Sequence, residues 1–154
     1  RAVRLDLSAT GDSGNSLPTE SILPRLDGLR ILMVDDEADA RDLLAKVLRD
    51  SGAIVTAAGS VVEALQVIET VQPQVLLSDI AMPIQDGYDL IRLVRKSGYS
   101  GKELPAIALT AFAHKEDIRR VLLSGFQMHV AKPIDPYDLI AVVASLTGRT
   151  EAAI

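Results

Sequence analysis

Residues 31–37 read Ile-Leu-Met-Val-Asp-Asp-Glu, four apolar side chains running straight into three acids. An uninterrupted apolar run of this kind suits a strand covered on both faces. Neighbouring carboxylates repel, and each raises the pKa of the other unless a cation neutralises them. Taken alone, the acids read as the solvated first turn of a helix, where the dipole favours negative charge. The rest of the chain overturns that reading.

Working outward, apolar runs and amphipathic segments take turns. Residues 29–34 form a first strand, and 38–50 a helix with Ala40, Leu43, Leu44, Val47 and Leu48 on one face and Gly52 to stop it. A short strand over 53–58 precedes Ser60-Val61-Val62-Glu63, a capping-box pattern that opens a helix to about Val71. Pro73 ends it, and Val75-Leu76-Leu77-Ser78-Asp79 is the third strand. Asp86-Gly87 begins a helix carrying Leu90, Ile91 and Val94 inward and ending near Gly98, and the capping role of this pair outweighs any chemical one. Pro105 to Thr110 is the fourth strand. Lys115 to Ser124 is a helix with Ile118, Val121 and Leu122 on one side; His114 sits exposed at its start and is assigned no role. Gln127 to Ala131 is a short fifth strand, and Asp135-Pro136 starts a last helix to about Leu146.

At 154 residues, 48% of them hydrophobic, the chain has room for one domain with a proper core. Only 3% are aromatic, so that core is aliphatic. Residues 1–28 read as a tail from a preceding domain: Val3, Leu5 and Leu7 alternate like a half-buried strand, and 8–28 are rich in Ser, Gly, Pro and Thr. The domain is expected over 29–147, with a short tail at 148–154. A first residue of Arg1 suggests a piece of a longer protein. Net charge is −5 with Lys and Arg scattered, which argues against a nucleic-acid surface. The absence of cysteine removes disulfide and thiolate-metal chemistry. No run approaches the roughly 18 apolar residues of a membrane span, and no signal peptide is visible.

Five strands alternating with five helices predict a doubly wound parallel sheet, whose sites lie beyond the carboxyl ends of the strands. Asp35 and Asp36 end the first strand, Asp79 the third and Thr110 the fourth, with Lys132 just after the fifth. In a strand order of 2-1-3-4-5, the first and third strands are neighbours and these groups converge on one crevice. Three carboxylates there need a cation, and an all-oxygen donor set selects a hard ion such as Mg²⁺.

At this point the chain resembles the receiver domain of two-component response regulators. The resemblance is carried by VDDE at 34–37, LLSDIAMPIQDGYDL at 76–90, ALTA at 108–111 and KPID at 132–135, and covers roughly residues 29–146. It implies the flavodoxin-like order 2-1-3-4-5 with five helices. It also implies that Asp79 is the phosphoacceptor, attacking a phosphohistidine on a histidine kinase or histidine phosphotransfer domain. By the same resemblance Asp36 ligates Mg²⁺ directly and Asp35 mostly through water, with Asp79 and the Ala81 carbonyl completing the protein ligands. Lys132 and Thr110 stabilise the phosphoryl group, and Pro133 follows a cis bond that orients Lys132. Thr110 and the residue at 129 act as the switch. Receivers usually carry Tyr or Phe at that last position, so His129 departs from the commoner pattern.

GFQMHVAKPIDPYDL, at 125–139, resembles receivers attached to hybrid histidine kinases. A stand-alone regulator, with 1–28 as an arm, is the near alternative. The expected protein is cytoplasmic, monomeric or weakly dimeric, with no nucleic-acid or direct membrane contact, and assists its own phosphorylation. From another class, a Mg²⁺-dependent phosphohydrolase with an aspartyl-phosphate intermediate would place D-x-D after the first strand, where this chain has adjacent acids. A flavin module would need a Ser/Thr/Gly-rich phosphate loop there.

Overall fold

A computed structural model of the chain describes residues 23–111 and 114–149. The Val3–Leu7 stub, residues 8–22 of the linker-like stretch and tail residues 150–154 lie outside the described residues. The elements run β1 (Arg30–Val34), α1 (Ala38–Asp50), β2 (Ile54–Ala58), α2 (Val61–Val71), β3 (Val75–Asp79), α3 (Gly87–Lys96), β4 (Ala106–Thr110), α4 (Lys115–Ser124), β5 (Met128–Ala131) and α5 (Pro136–Leu146). The strands form one parallel sheet in the order β2-β1-β3-β4-β5, as expected, with β2 and β5 as its edges.

The apolar strands follow from burial on both faces. Ile31 and Met33 of β1, Leu77 of β3 and Ile107 and Leu109 of β4 pack with Leu44 and Leu48 of α1 and Leu139, Ile140 and Val143 of α5. The residues between them, Leu32, Val34, Leu76, Ala106 and Ala108, pack on the other face with Ile68 of α2, Leu90, Ile91 and Val94 of α3, and Val121 of α4. Strand period two therefore feeds two cores at once. Burying each Leu or Ile contributes about 1.5–3 kcal/mol, so the aliphatic composition suffices to cover the sheet.

Three local readings need adjustment. Helix α1 is buried through Leu44, Ala45 and Leu48, while Leu43 is 60% exposed, because the buried stripe is turned one residue from the expected face. In α4 only Val121 is buried and Leu122 is 46% exposed, since α4 covers a narrow margin of the sheet near its β5 edge. Leu26 falls in the stretch with linker composition, yet it is fully buried in the α1/α5 core. Its amide donates to the Ser51 carbonyl (2.8 Å), and Gly28 donates to Gly52 (2.9 Å), which pins this segment to the turn after α1.

Caps position the helices. Ser60 Oγ accepts from the Glu63 amide (3.1 Å), but the Glu63 carboxylate reaches past Ser60 to the Gly59 amide (2.7 Å). Asp86 and Asp89 exchange side-chain-to-amide bonds in a complete capping box at α3. Asp135 Oδ1 accepts from Tyr137 N (2.8 Å), with Pro136 in the first turn of α5.

Candidate functional site

The chain order reverses between β1 and β3, and the carboxyl ends of these two neighbours open the crevice. Asp35 follows β1 and is 1% exposed; Asp79 ends β3 and is 4% exposed; Thr110 ends β4 and is 3% exposed. Asp36 is exposed. One carboxylate oxygen from each of Asp35, Asp36 and Asp79 lies within 4.8 Å of the other two. Lys132 enters from the far side, its Nζ donating to Asp79 Oδ1 at 2.9 Å, and its own amide donates to the Thr110 carbonyl (2.8 Å). The Lys132–Pro133 peptide is cis.

Asp35 is the most constrained of the acids. Its amide donates to Ala58 O (3.1 Å), its Oδ1 accepts from Glu37 N (2.9 Å), and its carbonyl accepts from Arg41 Nη1 (2.7 Å). Its Oδ2 is buried without a hydrogen-bond partner. Burial pushes the Asp35 carboxyl up from its ordinary range; the Glu37 amide opposes this, Asp79 and Asp36 add to it, and Lys132 opposes it. A buried carboxylate oxygen without a donor, facing two further carboxylates, is the environment a hard cation satisfies. The donor set thus fits Mg²⁺: oxygen ligands only, with acidic charge to offset the ion.

Ala81 lies two residues beyond Asp79 in the loop that leads to α3. That loop folds back tightly, Gly87 N donating to Ile80 O at 2.8 Å. A Cβ on Gly87 would stand 2.5 Å from the Asp79 carbonyl oxygen and 2.9 Å from Ile80 Cα. Gly87 therefore sets how closely α3 approaches the Asp79 backbone, a role that the capping pattern of Asp86-Gly87 conceals in the sequence. Within the same loop Ile84 is fully exposed and has φ +70°, a left-handed conformation that costs an L-residue roughly 1–2 kcal/mol.

His129 lies half-buried on edge strand β5, in register with Ala108, while Thr110 is in register with Ala131. Strand alternation puts His129 and Ala131 on the face opposite Val130. His114 is exposed, as its place before α4 implies. The described elements thus bring Asp35, Asp36, Asp79 and Lys132 into one site, with Thr110 at an adjoining strand end. Sequence reasoning missed Arg41 and Gly87.

Comparison with known proteins gives a concordant result. The profile of the response regulator receiver domain matches residues 31–144. An uncharacterized 14.6 kDa protein of Leptolyngbya boryana is 51% identical over 113 residues, which is 73% of this chain and 86% of that protein. The sensor histidine kinase RcsC of Escherichia coli is 37% identical over 124 residues, covering 80% of this chain but only 13% of the kinase. Among solved structures, a putative response regulator from Chloroflexus aurantiacus superposes with a TM-score of 0.73 at 32% identity, covering 80% of this chain and all of that one. No helix among the described residues is long and apolar enough to cross a membrane. The sheet order, the acid-rich crevice at its switch point and the profile match agree, and the chain belongs to the response regulator receiver domain family.

Proposed function

We propose that the chain is a phosphoacceptor in a two-component phosphorelay, with Asp79 taking a phosphoryl group from a phosphohistidine on a histidine kinase or histidine phosphotransfer domain. The observation that carries this is the Lys132–Asp79 contact of 2.9 Å beside the carboxylates of Asp35 and Asp36. An Asp79 oxygen attacks phosphorus, the new P–O bond forms as the P–N bond breaks, and the imidazole leaves with the electron pair and takes up a proton. Asp36, Asp35, Asp79 and the Ala81 carbonyl would hold Mg²⁺, Asp36 directly and Asp35 mostly through water. When bound, the ion supplies positive charge against the oxygens of the transferring group. Lys132 supplies a second positive charge on the other side of Asp79, and the Thr110 hydroxyl donates to a phosphoryl oxygen once transfer is complete. Thr110 and His129 then form the switch that reports the phosphoryl group to α4.

Two settings have separate support. The match within RcsC and the linker-like composition of 8–28 favour a receiver of a hybrid histidine kinase. The match over most of the small Leptolyngbya protein favours a stand-alone regulator. We take the hybrid origin as the first reading, in the cytoplasm, with the receiver monomeric or weakly dimeric and free of nucleic-acid and direct membrane contacts. Reading the encoded sequence ahead of Arg1 decides between them: an ATP-binding kinase domain there supports the hybrid.

The chemistry is tested with acetyl phosphate and Mg²⁺. One base-labile phosphoryl group per chain is expected on the parent and none on Asp79→Asn. Undiminished labelling of Asp79→Asn would sink the assignment.

A further inference from the structure

The buried stripe of α1 runs Leu44, Ala45 and Leu48, and one turn before it, at the spacing i, i+3, i+4 and i+7, stands Arg41. A cation on that line is out of place unless something at the end of the sheet requires it. Arg41 is half-buried, and its Nη1 donates to the carbonyl oxygen of Asp35 at 2.7 Å. This bond goes to the backbone of an acid, not to its carboxylate. The Asp35 carbonyl belongs to the peptide plane that joins Asp35 to Asp36, so a donor fixed on that oxygen fixes the plane from which both side chains depart.

The surroundings support such a role. The Asp35 amide is held by Ala58 and its Oδ1 by the Glu37 amide, so the Arg41 bond supplies the third constraint on the residue. The guanidinium lies over Gly59, where a Cβ would come 3.1 Å from Arg41 Nη1 and 3.5 Å from Glu63 Oε1. Glu63 in turn accepts from Gly59 N at 2.7 Å, so the turn that the guanidinium packs against is itself anchored to α2. Lys132 faces Asp79 on one side of the acids, and Arg41 stands on the other, beside β2.

The geometry points to Arg41 as a positioning residue for the metal site: it holds the Asp35–Asp36 peptide so that Asp36 and Asp35 meet Mg²⁺ together, without itself touching the ion. This inference rests on the reading of the acid cluster as a metal site. It assigns to α1 a part in ion binding that the carboxylates alone do not supply.

The test measures Mg²⁺ affinity by calorimetry on the whole chain, with the metal-free melting temperature recorded for each variant. Arg41→Ala should raise the Mg²⁺ Kd about 10-fold, the loss typical when a residue that orients a ligand is removed. Labelling by acetyl phosphate should recover towards the parent rate at saturating Mg²⁺, because the phosphoacceptor and Lys132 are untouched. Arg41→Lys, which keeps one donor and the charge, should restore part of the affinity. Lys46→Ala removes an exposed cation of the same helix, one paired with Asp50 at 2.8 Å, and should leave Kd unchanged, which separates the tether from net charge. A parent-like Kd for Arg41→Ala, with only a lower melting temperature, overturns the inference and makes Arg41 a structural residue. An equal rise in Kd for Lys46→Ala also overturns it. A parent chain that binds no Mg²⁺ overturns the metal-site reading itself.

Discussion

Gly87 is the point where α3 comes closest to the backbone of Asp79 and Ile80, and a single methyl group there is enough to force the two apart. Its backbone needs no left-handed conformation, so only space forbids a side chain there. An added Cβ would stand 2.5 Å from the Asp79 carbonyl oxygen, 2.9 Å from Ile80 Cα and 3.0 Å from Ile80 Cδ1. The first two atoms are backbone and cannot rotate away. Relief requires α3 to back off from the end of β3 by several tenths of an ångström, against the Gly87 N to Ile80 O bond of 2.8 Å. Overpacking of this kind costs about 1–3 kcal/mol, and a gain in helix propensity of less than about 1 kcal/mol offsets part of it. For a domain of this size, each kcal/mol lowers Tm by about 4 °C, so Gly87→Ala should melt roughly 4–8 °C below the parent by circular dichroism. Because the displaced backbone is that of Asp79, acetyl phosphate labelling should slow as well. Gly98→Ala is the control: with φ +105° but nothing within 4 Å of its Cβ, it should lose stability through conformation and keep its labelling rate. A Gly87→Ala protein with parent Tm and parent labelling would refute the close-approach argument.

Asp35 carries a pH dependence. Burial raises its folded pKa, so between the unfolded and folded values the native state holds more protons than the unfolded chain, and metal-free stability falls as pH rises through that window. Asp35→Asn should flatten this slope and melt higher than the parent at neutral pH without Mg²⁺; a steeper or unchanged slope in urea titrations across pH would contradict the burial account. Lys132→Ala should slow labelling about 10²-fold while costing only about 1 kcal/mol of stability, since the lysine side chain is a third exposed. Normal labelling combined with a large loss of Tm would make the lysine structural. His129→Ala should still accept phosphate at Asp79 but transmit less of the change to α4, read from amide chemical shifts of 115–124 with and without a phosphoryl mimic. Identical responses in variant and parent would make His129 a passive edge residue.

Much of the architecture was legible because both faces of the sheet are covered: every position of β3 and β4 is buried, and each opens on an apolar run that cannot be mistaken for a half-solvated strand. Candidate residues for the site were legible for the same reason, since polar groups such as Asp79 and Thr110 stand out at the ends of apolar runs. Burial within the acid pair was not legible. Asp35 and Asp36 are adjacent and alike in sequence, yet one is buried and the other exposed, a difference set by the bonds from Glu37, Arg41 and to Ala58. Arg41 was missed because its partner is a carbonyl, which no side-chain motif reports, although its place on the α1 stripe was a usable signal. Leu26 was missed because Ser, Gly and Pro around it mask a single buried side chain. The exposure of Leu43 reflects a rotation of α1 by about one residue, finer than helical periodicity resolves.

Of the three acids in the crevice, Asp79, and neither Asp35 nor Asp36, is proposed to become the acyl phosphate. Borohydride reduces an aspartyl phosphate to homoserine, which peptide mass spectrometry locates to a single position. After incubation with acetyl phosphate and Mg²⁺, homoserine is expected at position 79 alone, and is expected to be lost when Mg²⁺ is chelated. Homoserine at 35 or 36, or equal conversion at 79 without the metal, would contradict this assignment.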